Sequence, residues 1–375
     1  MHYLDNSATT PLCQAAITAM TKSMARFGNP SSLHLLGAEA LTALDDTRQA
    51  MARRLGCEAK ELYFTSGGSE ANNTALFGAA RAMKRRGKRI ITTAIEHHSV
   101  LNAAKALEGE GFEVIYLKPD DRGVITADAV SEALTDDTVL VSVMYVNNET
   151  GAIMPISEIA SVIKSSGCGA IFHTDCVQAL GKLPLNLRSL GADVVSVSAH
   201  KIHGPKGVGA LYVRSGCRLL PFIYGGGQER GFRSGTEPTI LIDGFGAALS
   251  DMPDLKTELE RVKTLRDDCV AKLSQLKGVV LNSHSDGLPY IINFSVSGVR
   301  SEVMLHWLEA KNIFVSSGSA CAKGESSHVL AAQGVNRQLA DSALRVSMSH
   351  LTSSEDLAAL VSAVAEGIDK LVKRR

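Results

Sequence analysis

Lys201 stands where a lysine can do covalent chemistry. It follows the β-branched run Val194-Val195-Ser196-Val197-Ser198, which reads as a buried parallel strand, and precedes a turn marked by Gly204, Pro205, Gly207 and Gly209. Extended structure resumes at Ala210-Leu211-Tyr212-Val213. An amine held at a dry, oriented strand end can lose its proton and form a Schiff base with a carbonyl. A lone loop lysine is more often solvated, so the weight rests on its company. Leu62-Tyr63-Phe64 reads as a brief strand running into Thr65-Ser66-Gly67-Gly68-Ser69-Glu70, with helix from Ala71 to Met83. That order bares backbone N–H groups at a helix N-terminus, an anion site suited to phosphate. Neither a Walker A motif nor GxGxxG occurs, so nucleotide and dinucleotide readings lack their signature. Asp175 ends the strand Ala170–Thr174 inside an apolar region, and a buried carboxylate needs a partner.

These groups need elements that bring them together. Strand Arg89–Ala94 ends at Glu96-His97-His98-Ser99, and strand Thr138–Met144 ends at Tyr145-Val146-Asn147-Asn148. Glu113–Leu117 reads as a further buried strand. In open α/β sheets ligands bind outside the carboxyl ends of strands. His97, Asn148, Asp175 with Gln178, and Ser198-His200-Lys201 all lie at such ends and are expected to converge. The set matches the needs of pyridoxal 5'-phosphate. Gly68, Ser69, Ser198 and His200 suit its phosphate, and Asp175 its pyridinium nitrogen. His97 suits a stack on its ring, Gln178 and Asn148 its phenolic oxygen, and Lys201 its aldehyde. The histidine pair has no carboxylate or cysteine at ligand spacing for a metal, so no metal is expected.

The motifs YLDNSATT, FGNPSSLH, TSGGSEANN, EHHSV, NNETG, HTDCVQ, SAHKIHGPKG, GGGQERGFRSGT, SSGSAC and ALRVSMS run in order from residue 3 to about 348. In content and spacing the chain resembles the cysteine desulfurases, of the class V aminotransferase group with fold type I. The resemblance implies an α/β fold with a large domain on a mostly parallel sheet and a small C-terminal α/β domain. It implies that Lys201 carries the cofactor and that the other roles hold as assigned. It also implies a homodimer in which Thr236 of one subunit reaches the phosphate of the other. Arg345 would bind the carboxylate of L-cysteine, with Asn148 beside the substrate. The second chemical centre is Cys321, among serine, glycine and lysine residues that suit an exposed loop, where a nearby cation favours thiolate. In the family the matching cysteine attacks the substrate sulfur, alanine leaves, and the enzyme keeps a persulfide. His97 and Lys201 would carry protons. The sulfur would pass to an acceptor protein, an iron–sulfur scaffold or a tRNA-thiolation enzyme. A selenocysteine lyase would share the cofactor residues. A cofactor-binding scaffold without catalysis would have no use for Lys201, Asp175, Cys321 and Arg345 together. Two features depart from the family. The segment between Cys321 and Ser327 is shorter than the common pattern, which shortens the tether of Cys321. Cys176 stands where alanine is usual and reads as a small core residue.

Length and composition bound the rest. The 375 residues suit one large and one smaller domain, placed at 16–255 and 256–375, with 1–15 packing on the small one. The formal net charge of zero gives no hint of nucleic acid, and Lys84-Arg85-Arg86-Gly87-Lys88-Arg89 reads as a solvated helix end. No apolar run approaches a membrane span, and MHYLDNSATT lacks signal-peptide character. The seven cysteines are scattered without a CxxC pair, which favours a reducing cytosol over disulfides or zinc. Helices are expected from Pro11 to about Phe27, then after caps among Asn29, Ser31 and Ser32, and as one long element from Ile240 to about Leu276. Strands at Val279–Leu281, Tyr290–Val296, Ile313–Ser316 and Leu344–Ser347, with helices Glu302–Glu309 and Ser354–Leu371, complete the expected order.

Overall fold

The computed structural model describes residues 1–317 and 327–371. The chain opens with β1 (His2–Tyr3). There follow β2 (Leu62–Thr65), β3 (Arg89–Thr93), β4 (Glu113–Leu117), β5 (Thr138–Ser142), β6 (Ile171–Asp175), β7 (Val194–Ser198) and β8 (Gly209–Val213). Among the described residues these seven make one sheet in the order β2-β8-β7-β6-β5-β3-β4. Strands β3 to β7 run parallel, and β8 lies antiparallel between β7 and β2. Helices cover the faces, so β5, β6 and β7 are buried at every position. Their continuous runs of β-branched and small residues suit strands with no wet face. β4 departs from the expectation of a buried strand. It pairs only with β3 at the sheet edge, and all five residues keep some exposure.

The second half supplies β9 (Val279–Leu281), β10 (Ile291–Val296), β11 (Ile313–Phe314), β12 (Ser316–Ser317) and β13 (Ala343–Ser347). Four of them form an antiparallel sheet in the order β12-β13-β10-β9. β11 instead pairs in parallel with β1, so the expected strand over Ile313–Ser316 is two short strands with different partners. The start of the chain is thereby bound to its end: Asp5 bridges Ser347, and Asn6 donates to the Ser347 carbonyl at 2.9 Å. One buried apolar cluster extends from Val195 and Val197 to Ile292, Phe294 and Leu357, and a second, around Leu76, Ile90, Val100 and Leu211, fills the other face of the large sheet.

Local chemistry explains where helices differ from expectation. The first runs only over Gln14–Ser23, capped by Cys13. The second, Leu35–Leu55, is capped by His34, whose Nδ1 accepts from Gly37 N–H at 3.3 Å. Asn29 accepts from Ser31 N–H at 2.9 Å instead, closing a turn upstream. The long helix divides into Thr239–Ser250 and Leu255–Leu273. Pro253 lies in the break and disfavours helical backbone before it, and Asp254 caps the second piece at Thr257 N–H, 3.0 Å. No described helix is long and apolar enough to cross a membrane.

Candidate active site

The parallel strands deliver their carboxyl ends to one edge of the sheet. There His97 follows β3, Asn148 follows β5, Asp175 ends β6, and Ser198 to Lys201 end β7. A cleft of about 320 Å³ opens between them and β13. It is lined by Gly68, Ser69, His97, Asn148, Asp175, Gln178, Ser198, His200, Lys201 and Arg345, all expected from the sequence, and by Ser7, Ala8, Asn72 and Ser99. Met144, Val146 and Val177 give it an apolar wall. Thr236 is exposed and does not line the cleft of its own chain. Cys321 lies outside the described residues.

Lys201 closes a short 3₁₀ turn, Ala199–Lys201, and its ammonium donates to the carbonyls of Ser7 at 2.6 Å and Ala8 at 2.7 Å. Asp175 is the hub of a second set of contacts. Its Oδ1 accepts from Val177 N–H at 2.9 Å and its Oδ2 from Asn72 Nδ2 at 2.7 Å. Asn72 also donates to Ser99 Oγ at 2.9 Å, and Ser99 Oγ lies 2.8 Å from His97 Nδ1. Ser99 N–H donates to the same Nδ1 at 3.1 Å. A backbone N–H can only donate, so neutral His97 carries its proton on Nε2. Burial is the largest cause holding His97 below its usual pKa, with Lys201 and His98 adding to it and Asp175 opposing. His200 is pushed down to about 4, first by burial and then by Lys201, Lys206 and Lys182, so it is neutral and able to donate one N–H.

Beneath the rim, His173 is buried between Ser142 Oγ at 2.8 Å and Ser196 Oγ at 3.0 Å. Burial alone lowers it to about 3, which makes it a neutral strut inside the sheet. Arg345, only 3% exposed, donates to Asp5 Oδ1 at 2.8 Å and to the Asn148 carbonyl at 3.1 Å. Its fork is thus oriented by a residue from the other end of the chain. Two buried acids flank the cleft. Glu96 accepts from Met144 N–H at 2.8 Å and Thr93 Oγ1 at 2.9 Å, and burial pushes its carboxyl up to about 8. Glu149 accepts from Ser327 Oγ. Burial raises it to about 7 against the opposing pull of Ser327 and Arg345. Cys176 is fully buried, and burial followed by the neighbouring Asp175 raises its thiol well above the usual range, so it acts as core.

Sequence reasoning missed Asn72, Ser99, Asp5, Glu149 and the buried Lys182. Asn72 falls within TSGGSEANN and sits one helical turn inside the phosphate-type helix, a position that spacing could have exposed. Asp5 and Arg345 are separated by nearly the whole chain, and no local pattern joins them.

The donor set suits a phosphorylated aromatic aldehyde. The helix Gly68–Met83 begins without a side-chain cap, so its first N–H groups remain available to an anion. Gly67 takes φ 145°, and a Cβ on Gly68 would come within 2.8 Å of Val177 Cγ2, so the turn demands glycine and stays open. Ser198 Oγ is buried at the cleft with no hydrogen-bond partner, an orphan that a bound phosphate would satisfy. Among the described residues no group of three metal-ligating side chains could hold a metal ion.

The description "Aminotransferase class-V" fits residues 2–360 as a family model. Cysteine desulfurase IscS of Dictyoglomus turgidum is 42% identical over 375 residues, covering 98% of this chain and 95% of that protein. Among solved structures, a NifS-like protein superposes with a TM-score of 0.93 at 35% identity, over 98% of this chain and 99% of the other. SspA in complex with cysteine gives a TM-score of 0.83 at 34% identity, over 93% and 99%.

Proposed function

The chain belongs to the class V aminotransferases, and within them to the cysteine desulfurases, and from that membership we propose that its cleft holds pyridoxal 5'-phosphate and L-cysteine and moves the substrate's sulfur to Cys321. The carrying observation is the meeting of Lys201, Asp175, His97 and Arg345 around one cleft beside an uncapped helix N-terminus. When bound, the cofactor withdraws electrons from the substrate α-carbon and makes carbanion chemistry accessible.

The chain's own residues do the rest. The N–H groups of Gly68 and Ser69, with Ser198 Oγ and His200, hold the phosphate. Asp175, fixed by Asn72 and Val177 N–H, meets the ring nitrogen with negative charge. Lys201 Nζ would hold the cofactor's aldehyde, and its amine would carry the proton of the substrate α-carbon. His97 holds a proton at Nε2 to exchange with the substrate. Arg345, aimed by Asp5, binds the substrate carboxylate bidentately. The Cys321 thiolate attacks the substrate sulfur. An S–S bond forms as the Cβ–S bond breaks, the electron pair stays on carbon, and a proton gained at Cβ with the return of the α-proton completes L-alanine.

Thr236 completes the phosphate site of a second copy. The homodimer draws support from apolar side chains exposed close together in sequence: Leu12, Ile17, Met24, Phe27, Leu33 and Leu35. Free thiols at Cys168, Cys176 and Cys269 suit a reducing cytosol, and the persulfide passes there to an acceptor protein.

The test is alanine released from L-cysteine in the presence of a thiol reductant. The wild type is expected to make alanine, while Cys321→Ala and Lys201→Ala are not. Equal release by Cys321→Ala would remove the persulfide route.

A further inference from the structure

Past Asp175 the chain makes a helix-like turn. Leu180 N–H bonds to the Cys176 carbonyl at 2.9 Å, and Leu183 N–H to the Ala179 carbonyl at 3.0 Å. That winding puts Lys182 on the same face as Gln178, four residues earlier. Lys182 is 5% exposed, and its Nζ donates to Gln178 Oε1 at 3.1 Å. At the other end of the amide, Gln178 Nε2 donates to the Ser7 carbonyl at 2.9 Å.

Among the described residues no carboxylate pairs with Lys182. The charged groups that act on it are Lys201 and Arg345, and it acts in turn on His200 and His203. Burial first, then those two cations, push its ammonium down to about 7. A buried cation among cations is a costly choice for packing alone. Among the described residues its one side-chain hydrogen bond is to Gln178, a residue of the cleft.

We infer that Lys182 is a positioning residue: by donating to Oε1 it holds the Gln178 amide with its N–H groups turned toward Ser7 and the cleft. A flipped amide would set oxygen against the Ser7 carbonyl and nitrogen against the ammonium, so the two contacts fix one orientation. The amide nitrogen carries two hydrogens, and Ser7 takes one. This rests on the cofactor reading above, in which Gln178 donates to the ring's phenolic oxygen. A donor there draws charge from that oxygen, and a proton shared with it is held less tightly. Loss of the orientation raises the pH midpoint of the bound cofactor's visible band.

The experiment titrates apo-protein with pyridoxal 5'-phosphate and follows the visible spectrum across pH. It compares wild type, Lys182→Met, Gln178→Ala and the double variant, with thermal melting as the check on folding. Each single change is expected to raise the midpoint by about one unit, a tenfold gain in proton affinity. The double variant is expected to match Gln178→Ala, because Lys182 acts through Gln178. An unmoved midpoint in Lys182→Met, or shifts that add in the double variant, overturns the inference. If Lys182→Met does not fold, Lys182→Arg carries the test. It keeps a donor-only head and is expected to hold the wild-type midpoint, and a raised one overturns the inference as well. A wild type that gains no visible band overturns the cofactor reading and this inference together, whereas a normal wild-type band with an unmoved variant overturns only the role of Lys182.

Discussion

The two walls of the cleft are built in different ways. On the side proposed for the cofactor, Asp175, Asn72, Ser99 and His97 are linked to one another by hydrogen bonds, and strands of the large sheet and the two helices Gly68–Met83 and His98–Gly109 set their places. On the side proposed for the substrate, Arg345 is aimed by Asp5 and the Asn148 carbonyl, and Glu149 by Ser327. Those contacts join segments far apart in sequence. The first wall is a property of one sheet. The second exists only while distant segments stay docked. Damage to the first should strike chemistry, and damage to the second should strike substrate binding.

Asp175→Asn breaks the first wall most directly. It keeps shape and removes charge, and should lower the rate of alanine formation by about 10²–10³-fold, the scale on which a buried electrostatic contact to a reacting system is lost. Steady-state kinetics on a variant with an unchanged melting temperature would check this. A fall in affinity alone would place Asp175 with the substrate wall.

Asp5→Ala is the matching test of the second wall. Arg345 keeps its charge and loses its aim. KM for L-cysteine should rise about tenfold, close to the value of one charge-assisted hydrogen bond, with kcat nearly unchanged. An equal fall in kcat would mean that the two walls act as one.

The buried acids sharpen the contrast through stability. Glu96 on the cofactor side has its carboxyl raised from 4.5 to about 8, so the folded chain binds a proton there that the unfolded chain has lost. Stability therefore falls as pH rises from about 4.5 to about 8. Glu96→Gln should raise the melting temperature at pH 8 by about 3 °C or more and do little near pH 4. Glu149 follows the same sign over a window that ends near 7. A melting curve of Glu96→Gln that still loses stability across this range would show that other groups dominate.

The smallest effect belongs to Ser327→Ala. Ser327 caps the helix His328–Ala332 by accepting from Leu330 N–H at 3.1 Å, and it donates to Glu149. Its loss should cost about 1 kcal/mol in chemical denaturation, with little change at Asp175.

What the sequence made legible follows the same division. Part of the cofactor wall could be read because strand ends of a parallel sheet converge, whereas Asn72 and Ser99 stand on helices and were missed. Lys201, Asp175 and His97 needed only local pattern and that one topological rule. The substrate wall could not be read that way. Arg345 was placed by resemblance, and its partner Asp5 was missed because their meeting depends on β1 finding β11 and Asp5 finding Ser347. Burial was equally hidden: Glu96 and Lys182 look like surface residues until the surrounding packing is known. The break at Pro253 was written in the sequence, where helical periodicity on both sides masked it.

The strand pairing of residues 2 and 3 with 313 and 314 has a consequence in time. Synthesis delivers the first of these partners early and the second near the end. The large sheet can form from contiguous chain while the opening segment waits undocked. Docking over such a separation closes a loop of most of the chain, the kind of contact whose entropy must be met late in folding. The carbonyls that receive the Lys201 ammonium and the carboxylate that aims Arg345 both lie on that waiting segment. A newborn chain would therefore have Asp175, Asn72, Ser99 and His97 linked first, and would gain the seat of Lys201 and the aim of Arg345 together as the last act of folding.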